Sequence, residues 1–171
     1  MTSIIRATER DAELLSDLGR QTFIESHGHS APKEDIDNYV NKNYTGVVFQ
    51  EELGAAENIY HIIYYEDQPV GFSKIILNYP IENIDVKNVT KLERIYILKD
   101  FYHLKLGLQL LNFIIEVSKS NKQEGMWLYV WTENERAFNF YKKNGFKIIG
   151  RHDFKISENH SNPNYQMLVK Y

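Results

Sequence analysis

The stretch LERIYILKDFYHLKLGL, residues 92–108, passes from an extended apolar run through a charged turn into a helical stripe that opens beside a glycine. The alternation around Ile95 and Ile97 predicts a strand over residues 91–98. Leu106, Leu110, Phe113, Ile114 and Val117 recur at helical spacing and predict the helix that follows. The first N–H groups of such a helix lack intrahelical partners and sit at the positive end of its dipole. With Lys99 and Lys105 close by, this start is a site for an anion, and a phosphate-bearing ligand fits it. The next strand spans residues 126–131, and two strands joined through a helix run parallel.

Further along, NERAFNFYKKNGF, residues 134–146, predicts a helix over residues 133–144. Glu133 and Glu135 lie near its positive end, Lys142 and Lys143 near its negative end, and Gly145 takes the position just past its last turn. Ala137 and Tyr141, four apart, share one face, so a small residue leaves room beside an aromatic hydroxyl. Strands over residues 146–154 and 164–171 complete the chain.

In the N-terminal half, a strand at residues 3–7 precedes a helix to about Ser26 that carries Ala12, Leu15, Leu18, Thr22 and Phe23; Thr8 and Asp11 form its capping pattern. Helical segments follow from Pro32 and over residues 44–53. Runs at 59–65 and 70–77, joined by Glu66-Asp67-Gln68-Pro69, form a hairpin, and residues 79–90 form a polar loop. The order, β-α-α-β-β-β-α-β-α-β-β, is that of an α/β chain of mixed α+β character. Its central sheet is mixed, mostly antiparallel and seven-stranded, with helices on both faces and a parallel pair formed by the fourth and fifth strands. Residues 1–171 are expected to form a single domain. The Trp127, Tyr129 and Trp131 alternation reads as sheet packing between covering helices, with no ligand needed.

The chain has 171 residues, 20 Lys plus Arg against 23 Asp plus Glu, and no cysteine. A net charge of −3 argues against a nucleic-acid backbone as partner. Without a cysteine thiol there is no disulfide framework, thiolate zinc site, iron–sulfur cluster or cysteine nucleophile. His27 and His29 have no third ligand in sequence reach, so no metal is expected. No segment reads as a signal peptide or a membrane span, and a cytoplasmic protein without a membrane partner is expected.

Together, the two quoted segments resemble the GNAT superfamily of N-acetyltransferases. The second matches in full the signature Asn-x-x-Ala-x-x-x-Tyr-x-x-x-Gly-Phe, through Asn134, Ala137, Tyr141, Gly145 and Phe146. The first is similar to the acyl-CoA pyrophosphate motif Gln/Arg-x-x-Gly-x-Gly/Ala, but Tyr102 stands where Gln or Arg is usual and Lys105 where the first glycine is; Gly107 is retained. Within the superfamily, the segments at residues 92–97 and 134–137, with Gln21-Thr22-Phe23, look most like the PaiA-type spermine/spermidine acetyltransferases.

The resemblance implies direct transfer of an acetyl group from acetyl-CoA to a primary amine, with a polyamine favoured as acceptor. It places Tyr141 as the acid for the departing thiolate and Glu93 as a base acting through water. It implies cofactor contacts from Ile95, Tyr96 and Ile97 along the pantetheine arm. His103, Leu104, Lys105, Leu106, Gly107 and Leu108 would hold the pyrophosphate, with Asn134, Arg136 and Tyr141 completing the cofactor set. Carboxylates and aromatic faces suit a polycation, and Glu25, residues 27–34, Tyr39, Tyr79 and Glu82 are the acceptor candidates. A protein N-terminus, a lysine or another small amine is the alternative acceptor. A weakly catalytic acyl-CoA-binding regulatory protein is the alternative from another class. The assembly is a monomer or a homodimer.

Overall fold

A computed structural model describes residues Met1–Tyr171. Its strands are β1 (Thr2–Arg6), β2 (Asn58–Tyr65), β3 (Gln68–Ile76), β4 (Val89–Ile97), β5 (Gly125–Trp131), β6 (Lys147–Lys155) and β7 (Ser161–Lys170). The helices are α1 (Ala12–His27), α2 (Lys33–Asn43), α3 (Gly46–Gly54), α4 (Leu106–Ser120) and α5 (Glu135–Lys143), with 3-10 turns at Glu9–Asp11 and Lys99–Leu104. Three helices thus separate β1 from β2, the third of them at the expected helical segment over residues 44–53. The strands form one seven-stranded sheet in the order β1-β2-β3-β4-β5-β7-β6, and β4 and β5 are parallel. No helix is long and apolar enough to cross a membrane.

The chain divides into two compact units, Met1–Ile75 with Arg94–Ile114, and Ile76–Glu93 with Ile115–Tyr171. In the first, the Thr8 N–H donates to Asp11 Oδ2 at 2.8 Å and starts the 3-10 turn that leads into α1. Thr45 caps α3 by accepting from the Val48 N–H. The β2–β3 hairpin turns on Glu66 and Asp67 alone, at φ 48° and 64°, so β3 begins at Gln68 inside the expected turn. Two left-handed residues match the strands' own twist, which is why the connection is that short.

Neighbouring residues of β2 point to opposite faces. Tyr60 stands edge-on to Phe49 of α3 at 5.9 Å, while His61 meets Phe113 of α4 at 5.0 Å. Helices therefore cover both faces of the sheet in this unit. The core continues through Leu15, Leu18, Ile36, Val40 and Phe72, all buried. Gly71 lets β3 approach β4 closely, since a Cβ there would strike the Tyr96 carbonyl oxygen and come within 2.5 Å of Ile97 Cδ1.

In the second unit, Val89–Lys91 pair in parallel with Gly125–Trp127, so β4 begins two residues earlier than expected. Thr90 and Ser118 of α4 share a buried hydroxyl hydrogen bond of 2.7 Å. One face of β5 and β7 carries α5, with Phe138 5.3 Å from Tyr165. The other face corrects two expectations. It is covered by residues of the β3–β4 connection rather than by a helix, and that connection is not simply polar. Ile84 packs with Val89, Trp127 and Leu168, and Ile81 and Val86 lie against them.

Candidate functional site

β4 supplies the backbone of Ile95, Tyr96 and Ile97 in the first unit. Leu98 donates its N–H to the Val70 carbonyl at 2.8 Å, and the chain then tightens into the 3-10 turn that holds His103 and Leu104. Lys105 follows at φ 56°, ψ 23°, the left-handed conformation that the expected glycine would adopt most readily. Its carbonyl accepts from the Leu108 and Gln109 N–H groups at 3.1 and 3.2 Å and so begins α4. The turn into the helix is therefore made without the glycine, and Leu106 and Gly107 lie in the first turn. An αL bend, a helix N-terminus and two lysines suit a pyrophosphate.

Both carboxylate oxygens of Glu25 are engaged: Oε2 accepts the Lys99 N–H at 2.8 Å, and Oε1 accepts from Gln21 at 3.1 Å. This α1 side chain anchors the first residue of the 3-10 turn. Phe23 stacks on His27 and on Tyr39, each at 5.0 Å, and Tyr96 meets the His27 ring edge-on at 6.2 Å. Burial, with His29 adding to it, lowers the His27 pKa to about 4, so the ring is neutral near pH 7.

The same unit holds a polar cluster that sequence reading missed. Glu52 of α3 accepts from Lys74 Nζ at 2.8 Å, from Arg94 at 3.3 Å and from the Tyr60 hydroxyl; Arg94 also donates to Tyr60 Oη at 2.9 Å. The Arg94 guanidinium lies over the Tyr44 and Phe49 rings at 5.2 and 5.6 Å. Burial alone would raise the Glu52 pKa, but Arg94, Lys74 and Tyr60 together outweigh it and hold the carboxyl below its ordinary value. Burial, followed by the neighbouring Tyr96, pushes the Tyr44 hydroxyl well up. The cluster fixes Arg94, the residue just before the strand backbone expected to meet pantetheine. Its members come from residues 52, 60, 74 and 94, so no local motif announces them. The one signal is a lysine within the apolar run of β3.

In the second unit, Asn134 caps α5, its Oδ1 accepting the Ala137 N–H at 3.1 Å. Gly145, at φ 88°, ends the helix: its N–H bonds the Lys142 carbonyl at 3.2 Å, and that of Phe146 bonds the Tyr141 carbonyl at 3.1 Å. Asn134, Gly145 and Phe146 thus build and close the helix that carries Arg136 and Tyr141. Tyr141 is 8% exposed and packs on Phe140 and Phe146. Burial raises its hydroxyl pKa against the opposing charge of Arg136, and the group stays protonated.

Glu93 lies on β4 with its Oε1 3.3 Å from Lys91 Nζ. Lys91 in turn sits over the Tyr79 and Trp127 rings at 4.9 and 5.4 Å. Arg94 makes its ion pair with Glu52, so adjacent residues of β4 serve different carboxylate–cation pairs. On the Trp127 face, residues 80–84, Tyr129 and Gln166 line a pocket of about 740 Å³. Tyr129 borders this open volume while Trp127 is buried. Glu82 lines the pocket, and the neighbouring Tyr79 is engaged with Trp127, which donates its indole N–H to the Tyr79 carbonyl at 2.8 Å. No group of three or more His, Cys, Asp or Glu side chains is gathered to hold a metal ion.

Residues 15–146 match the family model described as the acetyltransferase (GNAT) family. An uncharacterized N-acetyltransferase from Lactobacillus delbrueckii subsp. lactis is 27% identical over 91% of this chain and 90% of its own length. A spermidine N(1)-acetyltransferase from Thermoplasma acidophilum is 27% identical over 81% of this chain and 83% of its own. Among solved structures, the PaiA N-acetyltransferase from Thermoplasma acidophilum, in complex with coenzyme A, superposes with a TM-score of 0.80 at 22% identity. That match covers 100% of this chain and 99% of the other, a likeness of fold. With the family model spanning most of the sequence, the chain belongs to the GNAT family of acetyltransferases.

Proposed function

We propose that this protein transfers the acetyl group of acetyl-CoA to a primary amine, and that the amine is a polyamine such as spermidine or spermine. The observation that carries the transferase reading is α5. Asn134, Ala137, Tyr141, Gly145 and Phe146 occur in the family's order, and they form a capped helix that ends on a left-handed glycine and keeps the Tyr141 hydroxyl protonated. The polyamine reading is supported by the spermidine N(1)-acetyltransferase relative.

Acetyl-CoA supplies an activated thioester. The backbone of Ile95, Tyr96 and Ile97 would take its pantetheine arm, and residues 103–108 would hold the pyrophosphate, with Lys105, left-handed in the turn, adding charge. Asn134 and Arg136 would complete the cofactor contacts. An alkylamine is an ammonium near neutral pH, with a pKa of about 10.4, and attacks only after losing a proton. Glu93 takes that proton through water, and Tyr141 Oη returns one to the departing sulfur. Burial holds Tyr141 in its protonated form, so its hydroxyl has a proton to give and is not a base at the start of the step.

Purified protein, acetyl-CoA and a panel of spermidine, spermine, monoamines and peptide N-termini, with CoA release followed, test the reading. Saturable turnover of spermidine is expected. Turnover of peptides or monoamines alone would overturn the polyamine acceptor, and CoA binding without turnover of any amine would overturn the enzyme assignment.

A further inference from the structure

From Arg94 onward β4 belongs to the first unit, with β3 beside it. The Leu98 N–H reaches the Val70 carbonyl at 2.8 Å, and the Tyr96 carbonyl faces Gly71, where a Cβ would stand 2.4 Å from its oxygen. Residues 96 and 98 therefore turn their backbone groups toward β3. By strand alternation Ile95 and Ile97 turn theirs the other way, free of β3.

Ile95 lies between two side chains that are held firmly. Arg94 Nη1 donates to Tyr60 Oη at 2.9 Å and to Glu52 Oε2 at 3.3 Å, and its guanidinium lies over the Tyr44 and Phe49 rings. Tyr96 is hydrogen-bonded through its hydroxyl to Tyr44 and stands 5.8 Å from the Phe72 ring. Tyr44, 2% exposed, thus touches both flanking residues. A largely buried ion pair adds little stability over apolar residues of the same volume, whereas its hydrogen bonds fix one geometry. With Nη1 spent on Glu52 and Tyr60, Arg94 is not a cation held out for a phosphate.

We propose that Arg94 is a positioning residue for the cofactor: clamped by Glu52 and the Tyr60 hydroxyl, it fixes the aim of the Ile95 backbone at the pantetheine arm. This rests on the acetyl-CoA reading above. Contacts of this kind hold only within about 0.5 Å and 10–20° of their best geometry, so a clamp on the preceding side chain is felt at the ligand. The clamp acts on the arm and leaves the turn at residues 99–105 to its own supports, among them Glu25.

The test uses two ligands, CoA and adenosine 3′,5′-bisphosphate, which has the nucleotide end of CoA without its pantetheine arm. Calorimetric titrations compare wild type, Tyr60→Phe, Arg94→Met and Arg94→Lys. Tyr60→Phe keeps the buried ring and removes only the bridging hydroxyl, and Arg94→Met leaves Glu52 paired with Lys74. Arg94→Met should weaken CoA binding about tenfold and Tyr60→Phe about threefold, with the bisphosphate within about twofold of wild type in each. Arg94→Lys keeps a charge for Glu52 and should recover part of the loss. The KM for acetyl-CoA should follow the CoA affinities while the KM for the amine stays put.

Equal losses for the two ligands in Tyr60→Phe would show a merely structural role and overturn the assignment. CoA binding unchanged in both Tyr60→Phe and Arg94→Met would overturn it as well, even in an enzyme that acetylates amines. Binding is read without turnover, so a wild type that acetylates no amine, with the contrast between the two ligands intact, would refute the transferase reading and leave the positioning role standing.

Discussion

Replacing Glu25 with alanine tests whether α1 holds the expected phosphate-binding turn in place. The substitution removes the acceptor of the Lys99 N–H, a 2.8 Å hydrogen bond to a carboxylate. Hydrogen bonds to charged groups contribute about 1.5–3 kcal/mol. This one is solvent-exposed, and water replaces part of it, which leaves about 1 kcal/mol. At about 1.4 kcal/mol per factor of ten, the expected loss is roughly fivefold in acetyl-CoA affinity. Calorimetric titration with CoA and the KM for acetyl-CoA both report it, while the KM for the amine and kcat should stay near wild type. Glu25→Gln keeps an oxygen facing Lys99 and should recover to within about twofold, since a neutral acceptor retains most of an exposed hydrogen bond. If alanine and glutamine both raised the KM for the amine and left CoA binding untouched, Glu25 would be an acceptor carboxylate and the anchoring role would be wrong.

Tyr141→Phe should lower kcat at least tenfold with little change in CoA affinity, the range expected for loss of a general acid; wild-type turnover would remove Tyr141 from the mechanism. Glu52→Gln leaves Lys74 and Arg94 without their shared counter-charge and should lower stability by about 2–3 kcal/mol in urea unfolding. Because the Glu52 pKa is held below 4.5 in the fold, its contribution is complete above that pH and is lost as pH falls through the lower folded value. An unfolding midpoint for Glu52→Gln equal to that of wild type at pH 7 would show the cluster to be dispensable. His27 and His61 are each lowered from 6.5 to about 4, so between those values the unfolded chain binds more protons, and stability should fall as pH drops from 6.5 toward 4. The fall is bounded by about 3 kcal/mol per ring; a His61→Leu variant with the same slope as wild type would contradict it.

The parts of the fold legible in the sequence were those written in local periodicity. The β2–β3 hairpin, the α4 stripe and the capped α5 follow from residues within a turn or two of one another. Boundaries moved where backbone conformation decided them, as at Glu66 and Asp67, whose positive φ angles shortened the turn to two residues. Lys105 shows the same limit, because a lysine does not advertise the left-handed conformation it adopts. The candidate site was legible where it is contiguous, along residues 92–108 and 134–146. The anchoring contact of Glu25 was not legible because its partner is a backbone N–H far along the chain. The cluster around Glu52 and the Tyr129–Gln166 pocket floor join segments distant in sequence, and nothing in spacing or composition marks such partners.

Glu52 gives α3 a hold that its length does not. A nine-residue helix is too short to keep its conformation in water by itself, yet this one carries the counter-charge of cations on β3 and β4. Peeling α3 away would take from Lys74, with a side chain only 6% exposed, the Glu52 carboxylate that it pairs with. Local fraying is thereby tied to the opening of the strands beneath, and the α3 amides should exchange their hydrogens in step with β2 and β3 rather than ahead of them.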